Sequence, residues 1–230
     1  MIKIETREVV GLESAIYSMR NPKNSWGLSD SAYKQLDPDS ELVFRYEVGP
    51  NDLKLAKQLA AGGPVHAKYR RMINVYADIT APLYWWKEAD TYKVGTNASS
   101  CSTMHKIHAK DFTIDDFSHE HLLGKDIIPD HDYQNPYNIL ALMVDSLNYW
   151  RNRYLTVLKT EDECGLSAKD IWWQLIQLLP SSYNQKRTWM GNYEVLTNIY
   201  YSRKDHKLDE WRDFCKWIET LPYSELIIGG

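Results

Sequence analysis

Cysteine is scarce in this chain: Cys101, Cys164 and Cys215 are far apart and odd in number. They form neither a disulfide framework nor a C-x-x-C metal pair, which suits a reducing compartment and gives a cytoplasmic expectation. Long apolar runs are missing too. No stretch approaches the roughly 18 apolar residues that a spanning helix needs, so no membrane association is expected. The amino-terminal MIKIETREVV lacks the apolar core and cleavage site of a signal peptide. Neither G-x-G-x-x-G nor G-x-x-x-x-G-K-[ST] occurs, which argues against a Rossmann or P-loop phosphate site. Positive charge is not in excess either. The net charge is −4, whereas a nucleic-acid-binding domain is normally basic, so no nucleic-acid partner is expected. With no Gly/Ser linker and no repeat, residues 1–230 read as a single domain.

Histidine chemistry is thin as well. His119-Glu120-His121 and the pair His105/His108 lack the H-E-x-x-H spacing that sets two ligands on one helix face, and no metal is assigned. A Cys101–His105 nucleophile pair has no third group to orient the base, and no catalytic side chain is assigned.

What the chain does have is tryptophan and tyrosine: nine and 16 residues against four phenylalanines. Both carry a polar handle and concentrate at interfaces and ligand walls. In chain order, Ile2 to Val10 alternates as a strand, and Leu12, Ala15, Ile16 and Met19 follow at helical spacing. Asn21 to Ser25 is a turn; Ser29 or Asp30 is expected to cap a short helix, and Glu41 to Val48 to form a second strand. Asn51-Asp52 is expected to cap a helix that ends at Gly62-Gly63-Pro64. Met72 to Ala81 is β-branched and alternating, a central strand, with an aromatic helix after Pro82. Thr91 to Met104 reads as a polar loop, and Phe112 to Tyr133 as an irregular connection. A long helix runs from Asn135-Pro136 to about Thr160, with Ile139, Leu142, Met143, Leu147, Trp150, Tyr154 and Val157 on its buried side. Ser167 caps another helix, and a last one covers Leu208 to Thr220. Strands early and helices late give an α/β (α+β) fold class, a central sheet flanked by long helices.

The stretch Leu178 to Arg203, LLPSSYNQKRTWMGNYEVLTNIYYSR, is read as a helix stop, a polar turn and a helix burying Leu196, Ile199 and Tyr200. That second helix carries an unusual polar stripe: Asn192, Asn198, Tyr201, Ser202 and Arg203. Opposite it in function stands the loop with Lys93, Ser99, Ser100, Ser102 and Thr103, whose hydroxyls, backbone N–H groups and cation suit a phosphate.

Leu179-Pro180, Trp189, Asn192, Leu196, Asn198 and Arg203 resemble the carboxy-terminal signature of the flavin-dependent thymidylate synthases, at matching spacing and without a gap. The family order of helix, Gly-His element, strand ending in Ala-Pro, aromatic helix and signature loop corresponds here to Leu53–Ala61, Gly62–His66, Met72–Pro82, Leu83–Glu88 and Thr91–Thr103. The resemblance implies a mostly antiparallel sheet, a homotetramer, and FAD relaying a methylene group from methylenetetrahydrofolate to dUMP with NADPH as reductant. The implied activity is a methyltransferase reaction of nucleotide biosynthesis. By the same resemblance His66, Lys93, Asn192 and Asn198 bind the cofactor, and Glu88, Ser99, Ser100, Cys101 and Arg203 bind the pyrimidine nucleotide. Amides can donate and accept along a ring edge, and a guanidinium can pair with a carbonyl or phosphate.

Several signature positions depart from the family pattern. R-H-R-x-x-S falls on Thr91 to Thr96, where only Lys93 remains cationic; Ile176 and Glu194 replace arginines; and Glu88 replaces a glutamine. The N-E-x-S-x-R positions hold Ala98, Ser99, Cys101 and Thr103. Each lost charged donor costs a phosphate about 1.5–3 kcal/mol. An alternative is therefore a nucleotide-binding protein that keeps the fold without FAD chemistry. A further one is a different base modification, with Glu88 accepting from a cytosine amino group.

Overall fold

The computed structural model of the chain describes residues 1–35, 44–124 and 134–229. In chain order the elements are β1 (Lys3–Val10), α1 (Leu12–Met19), β2 (Ala32–Gln35), β3 (Phe44–Glu47), α2 (Pro50–Ala61), β4 (Asn74–Pro82) and α3 (Leu83–Ala89). They continue with β5 (Thr96–Ser100), α4 (Thr103–Lys106), α5 (Pro136–Val157), α6 (Ala168–Leu178), β6 (Asn184–Asn192), α7 (Tyr193–Arg203), α8 (Asp209–Glu219) and α9 (Glu225–Ile228). The fold is mixed α/β with an antiparallel sheet in the order β1-β4-β6-β5. A separate hairpin pairs β2 with β3, Ala32 opposite Glu47.

By internal contacts the chain forms two compact units. The first comprises Met1–Lys3, Thr80–Ala89 and Ser100–Arg187; the second comprises Ile4–Ile79, Asp90–Ser99 and Thr188–Gly230. The core of the first unit packs Leu140, Val144 and Leu147 of α5 against Leu175 of α6, with Ile107, Phe112 and Phe117. Asn135 caps α5 by accepting from the backbone N–H groups of Tyr137 and Asn138, and Pro136 fills the first helical position. Ser167 and Asp170 form a reciprocal capping box on α6. Between these helices Arg153 grips Asp162 through Nε and Nη2, at 2.6 and 2.8 Å. Asp162 also accepts from the backbone N–H groups of Cys164 and Leu166. The Arg153 bonds hold its carboxyl well below the usual carboxylate range.

In the second unit, β4 contributes the fully buried Ile73-adjacent run Val75, Ala77 and Ile79. Tyr193, Leu196 and Ile199 of α7 and Trp211, Phe214 and Ile218 of α8 complete that core. Asp78 ties three strands of the sheet, receiving bonds from Arg7 of β1 and, at 2.7 Å, from Thr188 of β6. The strongest polar anchor is Asp52, fully buried. It accepts from Arg20 Nε and Nη2 at 2.6 Å each, from both Ser29 and Ser31 hydroxyls at 2.6 Å, and from the backbone N–H groups of Asp30 and Ser31. Burial alone would raise its carboxyl, but the Ser29, Ser31 and Arg20 bonds outweigh that and hold it below the ordinary range.

Five expectations are corrected. Asp52 is not a helix cap; α2 begins at Pro50, and its first N–H groups, on Asn51 and Asp52, are met by the Asp30 carboxylate. Ser29 and Asp30 therefore start no helix, and β2 follows instead. Thr91–Met104 is not all loop, because Thr96 to Ser100 forms the sheet's β5. The segment before α7 is not a turn but the nine-residue strand β6. Tertiary pairing decides both strands, and no period-2 pattern announces it in such polar segments. On α5 the buried stripe is Leu140, Val144 and Leu147, leaving Ile139 at 46% and Leu142 at 63% exposed. A helix apolar on several faces does not declare by periodicity which one meets its neighbour. The expected strand Glu41 to Val48 is seen from Phe44 on, with 41–43 outside the described residues; 125–133 of the expected connection lie outside them too.

Replacing Asp52 with asparagine is expected to destabilise the fold by about 3–5 kcal/mol, since it strands the buried Arg20 charge. The wild-type carboxylate has a depressed folded pKa, so its contribution is complete above its unfolded value of about 3.9 and is lost as pH falls through the folded value. Urea titrations at pH 7 and down to pH 2 should show that acid slope in the wild type and a shallower one in Asp52→Asn, where Asp162 and Asp170 still contribute.

Candidate functional site

Two contacts bring the loop before β5 onto α7, both within the second unit. Gly95 lies beside Asn192: its backbone φ is +82°, and a Cβ built there would come within 2.6 Å of Asn192 Nδ2. The Asn192 N–H donates to Gly95 O at 3.2 Å. Asn192 is itself the N-cap of α7, with Oδ1 accepting from the Val195 N–H at 2.9 Å. At the other end of the helix, Arg203 Nε donates to the Tyr92 hydroxyl at 2.8 Å. The guanidinium carbon lies 5.6 Å from the Tyr92 ring centre and 4.9 Å from that of Trp211 on α8. Tyr92 and Trp211 meet edge to face at 5.9 Å, and His206 adds a further edge to Trp211. A guanidinium held over aromatic faces gains cation–π attraction and loses rotational freedom.

Trp189 of β6 packs at right angles to Phe214, 5.9 Å away, and lies over Gly191, where a Cβ would come within 2.0 Å of the indole. The Trp-x-x-Asn spacing thus has a packing reason: the indole needs a side-chain-free residue before the cap.

The remaining cofactor assignments are dispersed within this unit. His66 and Lys93 are exposed, and Asn198 is exposed on α7. His66 lines a cavity of about 420 Å³ with an apolar floor of Leu55, Leu59, Val65 and Met72, flanked by Lys23, Lys68 and Tyr69. Of the four residues assigned to the cofactor, only His66 lines it. Close by, Arg70 is 3% exposed with Nε and Nη2 lacking a hydrogen-bond partner, and Glu194 Oε2 is buried without one. Burial, against the counter-pull of Arg70, pushes the Tyr69 phenol up to about 12. A buried guanidinium with unmet donors is costly unless something completes it.

The first unit holds the other nucleotide assignments. Glu88 is half-buried on α3, and Ser100 and Cys101 are exposed. The Cys101 backbone is pinned: its N–H donates to Lys186 O and its carbonyl accepts from Gln185 Nε2, both at 3.0 Å. Gln185 in turn accepts from Arg187, whose guanidinium carbon stacks 4.2 Å over the Trp86 ring. Cys101 opens, with Lys3, Thr80, His119, Tyr183 and Lys186, into a polar cavity of about 730 Å³, where Asn184 Oδ1 is buried without a partner. Ser99, the last assignment, sits exposed on β5 in the second unit. Cys215 is buried and its thiol is pushed up to about 12, chiefly by that burial, so it is inert.

Tyr92, Trp211 and Arg70 were not singled out from the sequence. The aromatic surplus was the available signal for the first two; for Arg70, one arginine of a Lys-Tyr-Arg-Arg run, there was none. Among the described residues no group of three His, Cys, Asp or Glu is placed to hold a metal. No helix of the described residues is long and apolar enough to cross a membrane.

Comparison with known proteins agrees with this architecture. No protein-family model and no curated protein matches the sequence. Among solved structures, two of thymidylate synthase X from Helicobacter pylori, each with FAD and dUMP, match over essentially the whole chain. One has a TM-score of 0.63 at 16% identity, covering 100% of this chain and 98% of that one. The other has a TM-score of 0.64 at 16% identity, covering 99% and 98%. The fold is therefore that of the flavin-dependent thymidylate synthases.

Gly95→Ala is expected to cost roughly 2 kcal/mol: about 1 for a side chain in the left-handed region and about 1 for displacing the Asn192 cap. Chemical denaturation measures it. A Gly95→Ala protein as stable as wild type would show that the loop does not depend on this approach.

Proposed function

We propose that the chain is a divergent flavin-dependent thymidylate synthase-like enzyme that transfers a one-carbon group to a dUMP-like pyrimidine deoxynucleotide. The observation that carries this reading is the placement of Arg203 and Asn192 at the two ends of one helix, each held by the signature loop, on a fold whose solved relatives hold FAD and dUMP.

The residues present fit a flavin. A cavity with an apolar floor suits a flat ring system, and His66, Lys23 and Lys68 at its edge suit a polar rim and phosphates. The unmet donors of Arg70 offer a buried cation that partly offsets the arginines absent from the loop. Asn192 keeps Nδ2 as a donor while Oδ1 caps the helix; Asn198 and Lys93 are exposed and accessible to a ligand. Bound FAD would supply redox and one-carbon carriage, with methylenetetrahydrofolate as donor and NADPH as reductant. The protein's own part is placement and charge stabilisation. In the second unit Arg203 is the cation offered to a nucleotide and Ser99 a hydroxyl for its phosphate; in the first unit Ser100 and Cys101 offer a hydroxyl and a thiol to a phosphate, and Glu88 an acceptor to a base. The working assembly is a single-domain subunit in a homotetramer, in the cytoplasm.

A second reading has its own support. Glu194 is an acid at the amino-terminal end of α7, and the loop hydroxyls replace cations, so a nucleotide can bind here without FAD.

Both readings are tested by thermal shift and visible spectra. With FAD and dUMP at a hundredfold excess over Kd, linkage adds ~2.7 kcal/mol and raises the midpoint by several degrees. A flavin absorbance band should stay with the protein through desalting, and Arg203→Ala should abolish the dUMP shift. A dUMP shift without any flavin band selects the binding protein; neither signal discards both.

A further inference from the structure

The polar cavity of the first unit holds an acceptor that the fold leaves unmet. Asn184 opens β6 and lines this cavity of about 730 Å³, yet its Oδ1 is buried without a hydrogen-bond partner. A buried amide oxygen is costly to leave bare, and the neighbouring amides are all engaged. Gln185 donates to the Cys101 carbonyl and accepts from Arg187. Asn148, in the same unit, shows what an asparagine does with a suitable edge. Its Oδ1 accepts from the Phe112 N–H at 2.8 Å while its Nδ2 donates to the Phe112 carbonyl at 2.9 Å. The backbone on either side of Asn184 is fixed: the Leu83 N–H donates to the Tyr183 carbonyl at 3.0 Å, and Trp86 Nε1 to that of Gln185 at 2.9 Å. The amide is therefore placed in advance. Beside it the rings of Tyr183 and Phe117, edge to face at 5.8 Å, line the same cavity and give it an aromatic wall.

We propose that this cavity binds a planar heterocycle through a lactam or imide edge: Asn184 Oδ1 takes the ring N–H, Nδ2 donates to the adjacent ring oxygen, and Tyr183 and Phe117 flank the ring. The inference goes beyond the nucleotide reading, since every residue it uses lies in the first unit and neither Arg203 nor the loop 91–95 takes part. An asparagine amide offers one acceptor and one donor side by side, which such an edge mirrors; a carboxylate offers no donor. A cavity of this size with aromatic walls and a few placed polar groups is the usual form of a small-molecule site. Two ligands of the nucleotide reading carry the edge, the uracil of dUMP and the pterin of the folate co-substrate; a phosphate does not. Cys101, exposed on the same cavity, reports its occupancy through the thiol, and Cys164, exposed on a different one, serves as the control.

The test is alkylation of the full chain with iodoacetamide, followed thiol by thiol by mass spectrometry. With dUMP or tetrahydrofolate at about ten times Kd, Cys101 labelling should slow about tenfold while Cys164 labelling is unchanged. Inorganic phosphate should slow neither. The ligand that protects identifies the source of the ring. Asn184→Leu keeps the size and removes both polar atoms, so it should abolish the protection. It should also leave the thermal midpoint unchanged or higher, because an unmet buried acceptor is removed. The proposal falls if neither ligand protects Cys101, if inorganic phosphate protects it as well, or if protection survives in Asn184→Leu. A midpoint several degrees lower in Asn184→Leu makes the amide structural and overturns it too. The nucleotide reading fails separately. A dUMP thermal shift that Arg203→Ala abolishes, without Cys101 protection, upholds that reading and discards this one; Cys101 protection without that shift does the reverse.

Discussion

The second unit depends on one close approach. Gly95 has no side chain and a positive φ, and only so can the chain pass within contact of the Asn192 amide. Asn192 is thereby held by its N–H on Gly95 while its Oδ1 caps α7. Three residues earlier in the loop, Tyr92 meets the far end of the same helix at Arg203. Loop and helix are fastened at both ends, and the arginine is delivered into an aromatic frame rather than left on a flexible stem. A bulkier residue at 95 would press on the cap and loosen the frame together.

The chain handles its charges consistently. Ionised groups taken from water are completed by several donors, as Asp52 is by Arg20 and two serines, or by bidentate geometry, as Asp162 is by Arg153. Against that practice Arg70 stands out, with two unmet donors in a buried setting, as does Glu194 with an unmet acceptor. In the segment from Thr91 to Thr96 only Lys93 is cationic, and Arg203 is oriented by Tyr92 and Trp211.

Much of this was legible in the sequence, for identifiable reasons. α1, α2, α5, α6 and α8 announce themselves through spacing, capping residues and Gly or Pro stops, and β4 through its β-branched alternation. Asn192, Leu196, Asn198 and Arg203 carried the family resemblance because their spacing follows from α7 and its cap. The strands β5 and β6 were not legible, since TNASS and NQKRTWMGN alternate neither polarity nor size, and only pairing within the sheet makes them strands. Asp52 was misread for a related reason: an acid near a helix start looks like a cap, and its true partner Arg20 lies 32 residues away. Tyr92 was in view only as a departure from a pattern, and its link to Arg203 spans 111 residues.

The central claim, that loop 91–95 and the arginine end of α7 form a nucleotide site, is tested most directly by backbone hydrogen exchange with and without dUMP. The account predicts slowed exchange confined to residues 91–95 and to the α7 carboxy-terminal turn around Arg203, absent when dUMP is replaced by inorganic phosphate. Unchanged exchange in those two segments at saturating dUMP, or protection that inorganic phosphate reproduces, would contradict it.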